Sequence, residues 1–368
     1  MTANPGRLAR ALAVATTAAL TLGLTACGSE EEPADAADAD PANDAGSSVD
    51  DGAAAEGDGT LTLYSGRNEE LVQPVLDMFT EDTGIEVEVR YAGTSEMAAQ
   101  LLEEGEASPA DVFLAQDAGA LGEVAAEGML ADLPPETLEL VPETYRSAEG
   151  TWVGVTGRAR VLVYNQDAVQ VEELPESVFE LVDPQWSGRV GVAPTNASFQ
   201  SFVTAMRVIE GDDVAEQWLA DLAANDPQVR ESNGDILADV TDGVIDVGLI
   251  NHYYLFELAQ EQGVDPEELD SALHFFPGGD VGGLVNIAGV GLVGEQEDGD
   301  AQVLVDYLLS TEGQEYFRTQ THEYPLIEEV QAEEGLPALA ELEVPDIDLN
   351  DLEDLQTTVQ MISEAGLS

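Results

Sequence analysis

The sequence predicts an α/β protein with two lobes, each a mostly parallel sheet flanked by helices, and a ligand cleft between the lobes. Its 368 residues are enough for two domains of ordinary size. Short alternating apolar runs are followed by apolar residues at helical spacing, an order typical of parallel sheets covered by helices. This order begins near residue 61 and begins again after residue 151. Ligands of such sheets bind beyond the carboxyl ends of the strands.

Three strand and helix pairs are predicted for the first region. Strands are expected at 61–65, 85–91 and 110–114, and helices at 71–79, 94–104 and 117–128. Gly84 and Gly105 are expected to stop the first two helices, because glycine readily adopts the backbone conformation that ends a helix.

The second region contains further strands and two long amphipathic segments. Strands are expected at 160–164, 190–192 and 245–250, helices at 198–209 and 300–316, and small and apolar residues return at 282–293. The strand at 245–250 ends at Tyr253 and Tyr254, and alternation along an extended chain would turn His252 away from Tyr253. Arg158 and Arg160 stand two apart on one strand and so face the same way.

The N-terminal segment has the pattern of a secretory leader. A short basic region precedes an apolar run, 11–24, which is short for a membrane span, and Leu24-Thr25-Ala26-Cys27 follows. These four residues resemble the bacterial lipobox, whose cysteine is lipidated. We therefore expect 1–27 to be a lipoprotein signal peptide and 28–59 a disordered acidic tether. Cys27 would anchor an extracytoplasmic protein to the outer face of the cell membrane.

The chain is strongly acidic and contains no lysine. Its formal net charge is −64, from 75 acidic residues against 11 arginines. Such a surface repels nucleic acid and anionic lipid headgroups and attracts cations, so we expect no nucleic-acid partner and membrane contact only through the anchor. The charge is consistent with a surface that concentrates metal ions or with adaptation to a saline habitat, where ions screen it. Its even spread along the chain favours the second interpretation.

Tyr253 and Tyr254 are the most informative side chains of the sequence. A phenol ordinarily titrates near pH ~10, but a highly charged metal ion can hold its oxygen as phenolate at neutral pH. Two neighbouring tyrosines could therefore both bind a hard trivalent cation. Alternatively, both are half-buried strand residues, because tyrosine has a high β-propensity. Cys27 is the single cysteine, which excludes disulfides and thiolate metal sites.

Several ordered motifs, spread over about residues 61–362, give the chain its resemblance to a known family. They are Tyr64-Ser65-Gly66-Arg67-Asn68-Glu69, Ser108-Pro109-Ala110-Asp111-Val112-Phe113, Gly157-Arg158-Ala159-Arg160-Val161, Asp183-Pro184-Gln185-Trp186, Gly188-Arg189-Val190-Gly191, Leu249-Ile250-Asn251-His252-Tyr253-Tyr254, Glu312-Gly313-Gln314 and Glu323-Tyr324-Pro325-Leu326. With these motifs the chain resembles the periplasmic ferric-iron-binding proteins, the solute receptors of iron ABC transporters.

The resemblance implies a class II periplasmic-binding-protein fold that closes on its ligand by a hinge motion. It implies a monomer, not an enzyme, that binds Fe(III) with a synergistic anion, carbonate or phosphate. The iron would be delivered to the permease and ATPase subunits of a transporter. The implied first lobe is 60–157, completed by 284–335, and the second is 158–283, completed by 336–368.

The resemblance also assigns the metal ligands. The family's tyrosine pair falls on Tyr253 and Tyr254, whereas its frequent histidine and glutamate are replaced by Asn68 and Gln116, which are neutral and weak ligands for a hard ion. Iron would then need Asp117, Glu69 or an exogenous anion. Each of these acids has a structural alternative, Asp117 as a helix N-cap and Glu69 as a partner of the helix dipole.

The family's anion site falls on Asn196, Ala197 and Ser198, directly before a predicted helix whose free N–H groups can bind an anion. Further anion contacts would come from Asn233 and Asn251. Asn196 and Ser198 could instead only cap the helix. Where some members of the family have a third tyrosine, this chain has Phe199.

Arg158 has two open interpretations. It could neutralise the anion or hydrogen-bond a tyrosinate, or it could form a salt bridge between the lobes.

An alternative function also stays open, a receptor of the same fold for a phosphonate or another organic or phosphorylated anion without metal. In that case the anion site at 196–198 would be used alone.

Overall fold

A computed structural model describes residues 57, 59–294 and 299–367, and it confirms the α/β class. The predicted leader at 1–27, with Cys27, lies outside the described residues, as does nearly all of the predicted tether at 28–59. Within the described ranges, no helix has the length and apolar character that a membrane span requires.

Ten strands of the described chain form one mixed sheet. They are β1 Thr60–Ser65, β2 Glu86–Tyr91, β3 Val112–Ala115, β4 Val153–Asn165, β5 Val190–Val192, β6 Gln228–Val229, β7 Val247–Asn251, β8 Ser271–His274, β9 Val285–Leu292 and β10 Tyr324–Pro325. The order is β2-β1-β3-β9-β4-β7-β5-β6, and β8 and β10 also pair with β4. β1 is parallel to β2 and β3, and β5 is parallel to β6 and β7. The central strands β4 and β9 are antiparallel to their neighbours.

Helices alternate with the parallel strands of each lobe. They are α1 Glu69–Thr83, α2 Thr94–Glu104, α3 Ala118–Ala126, α4 Pro135–Leu138, α5 Ala197–Glu210, α6 Asp212–Ala224, α7 Asn233–Thr241, α8 Tyr253–Gln262, α9 Asp300–Leu308, α10 Thr311–Tyr316 and α11 Leu355–Glu364. The predicted order β1-α1-β2-α2-β3-α3 is confirmed. Gly84 follows α1 at φ 77° and Gly105 follows α2 at φ 56°, as expected of helix stops.

Strand β4 is shared between the two ends of the sheet, and all 13 of its residues are buried. Its first part, up to Ala159, pairs with β9, whereas its second part, from Arg160, pairs with β7. The sequence predicted only 160–164 of this strand. The first part was not predicted, because Gly154 and Gly157 interrupt the apolar pattern. Both glycines pack closely against Leu326, so the missing side chains make room for a neighbouring segment.

The tyrosine pair lies in a helix, and the prediction of an extended strand there is wrong. Strand β7 ends at Asn251, and His252, at φ −60° and ψ −39°, turns the chain into α8, whose first two residues are Tyr253 and Tyr254. The aromatic pair has high β-propensity, but the helix start is fixed by tertiary contacts of His252. The pair nevertheless follows the carboxyl end of a strand.

The predicted helix at 300–316 is also wrong, because two helices, α9 and α10, occupy this segment. The break occurs where the Ser310 hydroxyl accepts a hydrogen bond from the Gly313 N–H at 3.1 Å and so caps α10. Apolar spacing continues across the break, which is why periodicity did not reveal it. Gly313 lies so close to α9 that a Cβ there would overlap the carbonyl oxygen of Tyr307.

The close approach of Gly313 predicts the effect of adding one methyl group. Gly313→Ala should lower the free energy of unfolding by about 2 kcal/mol, because the backbone oxygen it meets cannot rotate away. Gly234→Ala, in α7, should be neutral or raise it by about 0.5 kcal/mol, because its Cβ meets only the Ser232 hydroxyl at 3.6 Å. Urea unfolding of both variants measures the difference, and equal effects would contradict the packing argument.

Candidate functional site

A cavity of about 670 Å³ lies where the two halves of the sheet meet. The predicted site residues that line it are Asn68, Glu69, Gln116, Asp117, Arg158, Ala197, Ser198 and Asn251. They follow the carboxyl ends of β1, β3 and β5, lie on β4, or, in the case of Asn251, form the last residue of β7. The structure therefore brings together residues that are far apart in the chain, at the edge of the sheet where α/β proteins bind ligands.

Asn68, Glu69, Gln116 and Asp117 line this cavity from the first predicted region of the chain. Asn68 and Glu69 are exposed at the start of α1, where the Asn68 side chain makes no capping hydrogen bond. Asp117 caps α3 by accepting a hydrogen bond from the Ala120 N–H at 3.1 Å, which confirms the N-cap prediction. Burial raises the pKa of Asp117. A carboxylate that is poorly solvated in this way gains from a nearby cation.

Ser198 is the centre of a hydrogen-bond network at the start of α5. Its hydroxyl donates to Asn196 Oδ1 at 2.6 Å and accepts from Asn233 Nδ2 at 3.0 Å. Asn196 Oδ1 also accepts from the Ser198 N–H at 2.9 Å, so Asn196 is the helix cap. Asn196 and Asn233 do not line the cavity in the described structure, whereas Ser198 does. Both asparagines therefore act on the cavity by orienting Ser198.

The two arginines of β4 differ in their partners. Arg158 donates to the carbonyl oxygens of Gln116 and Ile287, and its Nε lies 3.9 Å from Glu323 Oε1. Its charge is thus compensated, and the carbonyl of Gln116 ties it to the first lobe. This geometry agrees with the salt-bridge interpretation of Arg158.

Arg160 is buried and lacks a carboxylate partner in the described part of the chain. Its guanidinium donates to Leu249 O at 3.0 Å, Ser198 Oγ at 3.1 Å and Asn251 Oδ1 at 3.5 Å, all of them neutral. Burial lowers the pKa of Arg160 to about 9. Sequence reasoning did not include Arg160 among the anion ligands, although its spacing from Arg158 placed it on the same face. An uncompensated guanidinium at a cavity wall is well suited to bind an anion.

Glu323 is a second residue whose role sequence reasoning missed. It forms a bidentate ion pair with Arg67, at 2.8 and 3.0 Å, and also accepts a hydrogen bond from Thr156 at 2.8 Å. Both side chains of the ion pair are 3% exposed. Burial alone would raise the pKa of Glu323, but Arg67 and Arg158 outweigh this effect and lower it. Because Arg67 directly precedes Asn68, this ion pair fixes the loop that carries Asn68 and Glu69.

Tyr253 and Tyr254 are half-buried, and their rings stack with centroids 4.4 Å apart at an interplanar angle of 26°. They are not among the residues that line the cavity, but the phenols lie close enough to Arg158 and Arg160 to interact with their charges. Burial raises the pKa of Tyr253 well above 10, Tyr254 adds to this effect and Arg158 opposes it. Tyr253 is therefore a neutral phenol until a strong cation replaces its proton.

His252 is fully buried and contacts the ring of Tyr253 edge-on, with centroids 5.9 Å apart. The prediction that His252 points away from Tyr253 is wrong, because the chain is helical there and not extended. Burial lowers the pKa of His252 to about 4. Among the described residues, no group of three or more His, Cys, Asp or Glu side chains is placed to hold a metal ion. Any metal bound in this part of the chain would therefore need other ligands, such as the tyrosines.

Removal of the Glu323 carboxylate should destabilise the fold. Glu323→Gln leaves two buried guanidinium groups without a counter-charge, so we expect the free energy of unfolding to fall by about 3 kcal/mol or more. Asp354→Asn is the matched control, because Asp354 pairs with Arg207 at 3.0 Å but is 52% exposed. That control should change stability by about 1 kcal/mol or less. Similar losses in both variants would contradict the argument.

Glu257, on α8, should make stability depend on pH. Burial, with Glu323 and Glu261 nearby, raises the pKa of Glu257 from about 4.5 to about 7. The folded state thus binds this proton more tightly than the unfolded state, and the stability it gives is lost as pH rises through about 7. Glu257→Gln should therefore raise the free energy of unfolding at pH 8 by about 1 kcal/mol after solvent screening, and much less at pH 5. Denaturant unfolding at both pH values, with exposed Glu210→Gln as control, checks this; an equal gain at pH 5 would contradict it.

Known proteins share both the sequence and the fold of this chain. The family model of the bacterial extracellular solute-binding proteins matches residues 107–352. The Fe(3+)-binding periplasmic protein of Serratia marcescens is 34% identical over 316 residues, which cover 85% of this chain and 92% of that protein.

Two solved structures show the same fold. Iron-bound HitA from Pseudomonas aeruginosa superimposes with a TM-score of 0.76 at 37% identity, over 83% of this chain and 99% of that one. The Trichodesmium protein IdiA (FutA), in complex with iron and citrate, gives a TM-score of 0.73 at 27% identity, over 84% and 100% of the two chains. The chain therefore belongs to the bacterial extracellular solute-binding proteins, in the group of periplasmic ferric iron-binding proteins, and is a two-lobed binding protein and not an enzyme.

Proposed function

We propose that this protein is the receptor of a ferric iron transporter and that it binds Fe(III) through Tyr253 and Tyr254 together with an anion. The observation that carries the proposal is the position of the stacked tyrosine pair beside a cavity that contains a buried, uncompensated Arg160. Relatives that are named ferric iron-binding proteins support the choice of metal.

The anion follows from the number and charge of the ligands. Fe(III) is a hard ion, and two phenolates alone leave most of its coordination positions empty. Asp117 and Glu69 offer carboxylates at the cavity wall, whereas Asn68 and Gln116 offer only neutral oxygens. A bound carbonate or phosphate would supply charged oxygens to the metal and would neutralise Arg160 from its other side. Ser198, oriented by Asn196 and Asn233, would donate to the same anion.

Iron binding would release protons. Burial raises the pKa of Tyr253 well above 10, so the metal must displace that proton. The apparent affinity for Fe(III) should then increase as pH rises and decrease as pH falls.

The two-lobed fold and the predicted signal peptide at 1–27 suggest how the receptor would work at the membrane. We propose lobes at 60–157 with 284–335 and at 158–283 with 336–368. The change of partners on β4, between residues 159 and 160, lies two residues beyond this boundary and supports a division within the strand. Opening of the cleft would release iron to the permease and ATPase subunits of the transporter. Lipidation of Cys27 would hold the receptor at the outer face of the cell membrane.

A second candidate is a receptor for a phosphonate or a phosphorylated solute without metal. Arg160 and Ser198 favour it, because a buried guanidinium and a hydroxyl suffice to bind such an anion. In that case the tyrosines would stack against the solute or hydrogen-bond it.

Addition of ferric citrate to the apoprotein distinguishes the two candidates. We expect a visible phenolate-to-iron charge-transfer band, which the double variant Tyr253→Phe, Tyr254→Phe should lose together with at least about a hundredfold of affinity, as for two lost charged ligands. Tyr91→Phe is the matched control, because Tyr91 lines the same cavity from β2. It should leave the band unchanged.

The absence of colour in the unmodified protein, or colour that survives the double substitution, would refute the iron proposal. The metal-free candidate then predicts a rise in melting temperature with methylphosphonate or a sugar phosphate, by mass action on the folded state.

A further inference from the structure

His252 connects three segments that meet beside the tyrosine pair. Its Nδ1 accepts a hydrogen bond from the Ala159 N–H at 3.1 Å, and the backbone N–H of His252 donates to the Ala159 carbonyl at 3.0 Å. Its Nε2 lies 3.0 Å from the carbonyl oxygen of His322. The next residue along the chain is Tyr253. One buried side chain thus links β4, the start of α8 and the segment that leads to β10.

These partners determine the state of the imidazole. A backbone N–H can only donate, so Nδ1 carries no proton, and a carbonyl can only accept, so the hydrogen is on Nε2. The ring is therefore neutral, with one acceptor and one donor that are both used. Both ring nitrogens are thus occupied, and neither can bind a metal or an anion. His252 is therefore a residue that connects backbone segments.

The contact with Ala159 lies at the boundary between the two lobes. Ala159 is the last residue of β4 that pairs with β9, and Arg160 is the first that pairs with β7. Both backbone hydrogen-bonding groups of Ala159 go to His252. A change in the angle between the lobes must alter the backbone here, because β4 is the strand that both lobes share.

The contact with His322 reaches the first lobe. His322 adopts φ 53° and ψ 24°, a left-handed conformation that is unfavourable for a residue with a side chain. It is followed by Glu323, whose ion pair with Arg67 fixes the loop before α1. The His322 carbonyl is thus held between His252 on one side and this ion pair on the other.

We propose that His252 is a positioning residue that couples the relative placement of the two lobes to the orientation of Tyr253 and Tyr254. A displacement of Ala159 or of His322 would be passed through the imidazole to the first turn of α8, where both phenols are attached. The inference rests on the proposed function, because the orientation of the phenols is assigned a role in holding Fe(III).

Two substitutions remove one half of the connection each. In His252→Asn the amide oxygen takes the place of Nδ1 and keeps the bond to Ala159, whereas in His252→Gln the amide nitrogen takes the place of Nε2 and keeps the bond to His322. We expect each variant to bind Fe(III) about tenfold more weakly, as for one lost hydrogen bond, and to shift the charge-transfer band. His252→Leu, which removes both bonds, should lose more.

His274 provides the matched control. It is a half-buried histidine of the second lobe whose Nε2 lies 2.8 Å from the Pro175 carbonyl. His274→Asn and His274→Gln should lower the melting temperature but leave ferric affinity and the band unchanged. A second measurement needs no substitution: in the ¹⁵N-labelled protein, loading with diamagnetic Ga(III) should shift the ring nitrogen signals of His252 and leave those of His274 in place.

The outcomes distinguish a failure of the proposed function from a failure of the coupling through His252. An unmodified protein that shows no band and no ferric affinity refutes the proposed function. A coloured unmodified protein whose His252 variants lose only stability, or whose His252 signals do not move with Ga(III), overturns the coupling while the proposed function stands.

Discussion

The structure depends on one strand that belongs to both lobes. All residues of β4 are buried, and the strand pairs with β9 and β10 through its first part and with β7 and β8 through its second. Neither half of the sheet can be completed without it. The change of partners between Ala159 and Arg160 also places two arginines at the wall of the cavity. The sharing of β4 thus completes both halves of the sheet and positions the two arginines of the site. It also determines which part of the backbone a change in the angle between the lobes must alter.

Arginines are concentrated around the cavity of an otherwise very acidic chain. The sequence has 75 acidic residues and 11 arginines, yet Arg67, Arg158 and Arg160 are all buried around the cavity. Glu323 compensates the first two, and Arg160 keeps its charge. Four acidic residues also line the cavity, Glu69, Glu70, Glu96 and Asp117. A cation would therefore be attracted to these carboxylates and disfavoured beside Arg160. The uncompensated charge of Arg160 therefore favours an anion on its side of the cavity, as the proposed anion-assisted metal site requires.

Local sequence patterns predicted the parallel part of the fold, whereas the family resemblance indicated most of the residues that line the cavity. Apolar periodicity and glycine stops gave β1 to β3 and their helices, and residues that follow strand ends came together as expected. The rest depends on contacts between distant residues. Arg67 and Glu323 are 256 positions apart, and no local pattern indicates that they pair. The start of α8 at Tyr253 is set by the contacts of His252 with Ala159 and His322, against the β-propensity of the aromatic residues. The full length of β4 was hidden because its glycines and arginines are buried by neighbouring segments.

As the resemblance implies, Asn68 and Gln116 would take the positions of the family's histidine and glutamate, and the proposed site would then use the two lobes unequally. In that site the phenols at the start of α8 and the anion beside Ser198 would be the charged ligands of the second lobe. The first lobe contributes neutral oxygens on a loop fixed by Arg67, together with Asp117 and Glu69 at the wall. A trivalent ion interacts more weakly with neutral oxygens than with carboxylates, so separation of the lobes would break a weaker contact at position 116 than it would with a glutamate there. In the proposed site the ion would stay attached to the second lobe through the phenols and the anion while the cleft opens, as a receptor that must release its ligand requires.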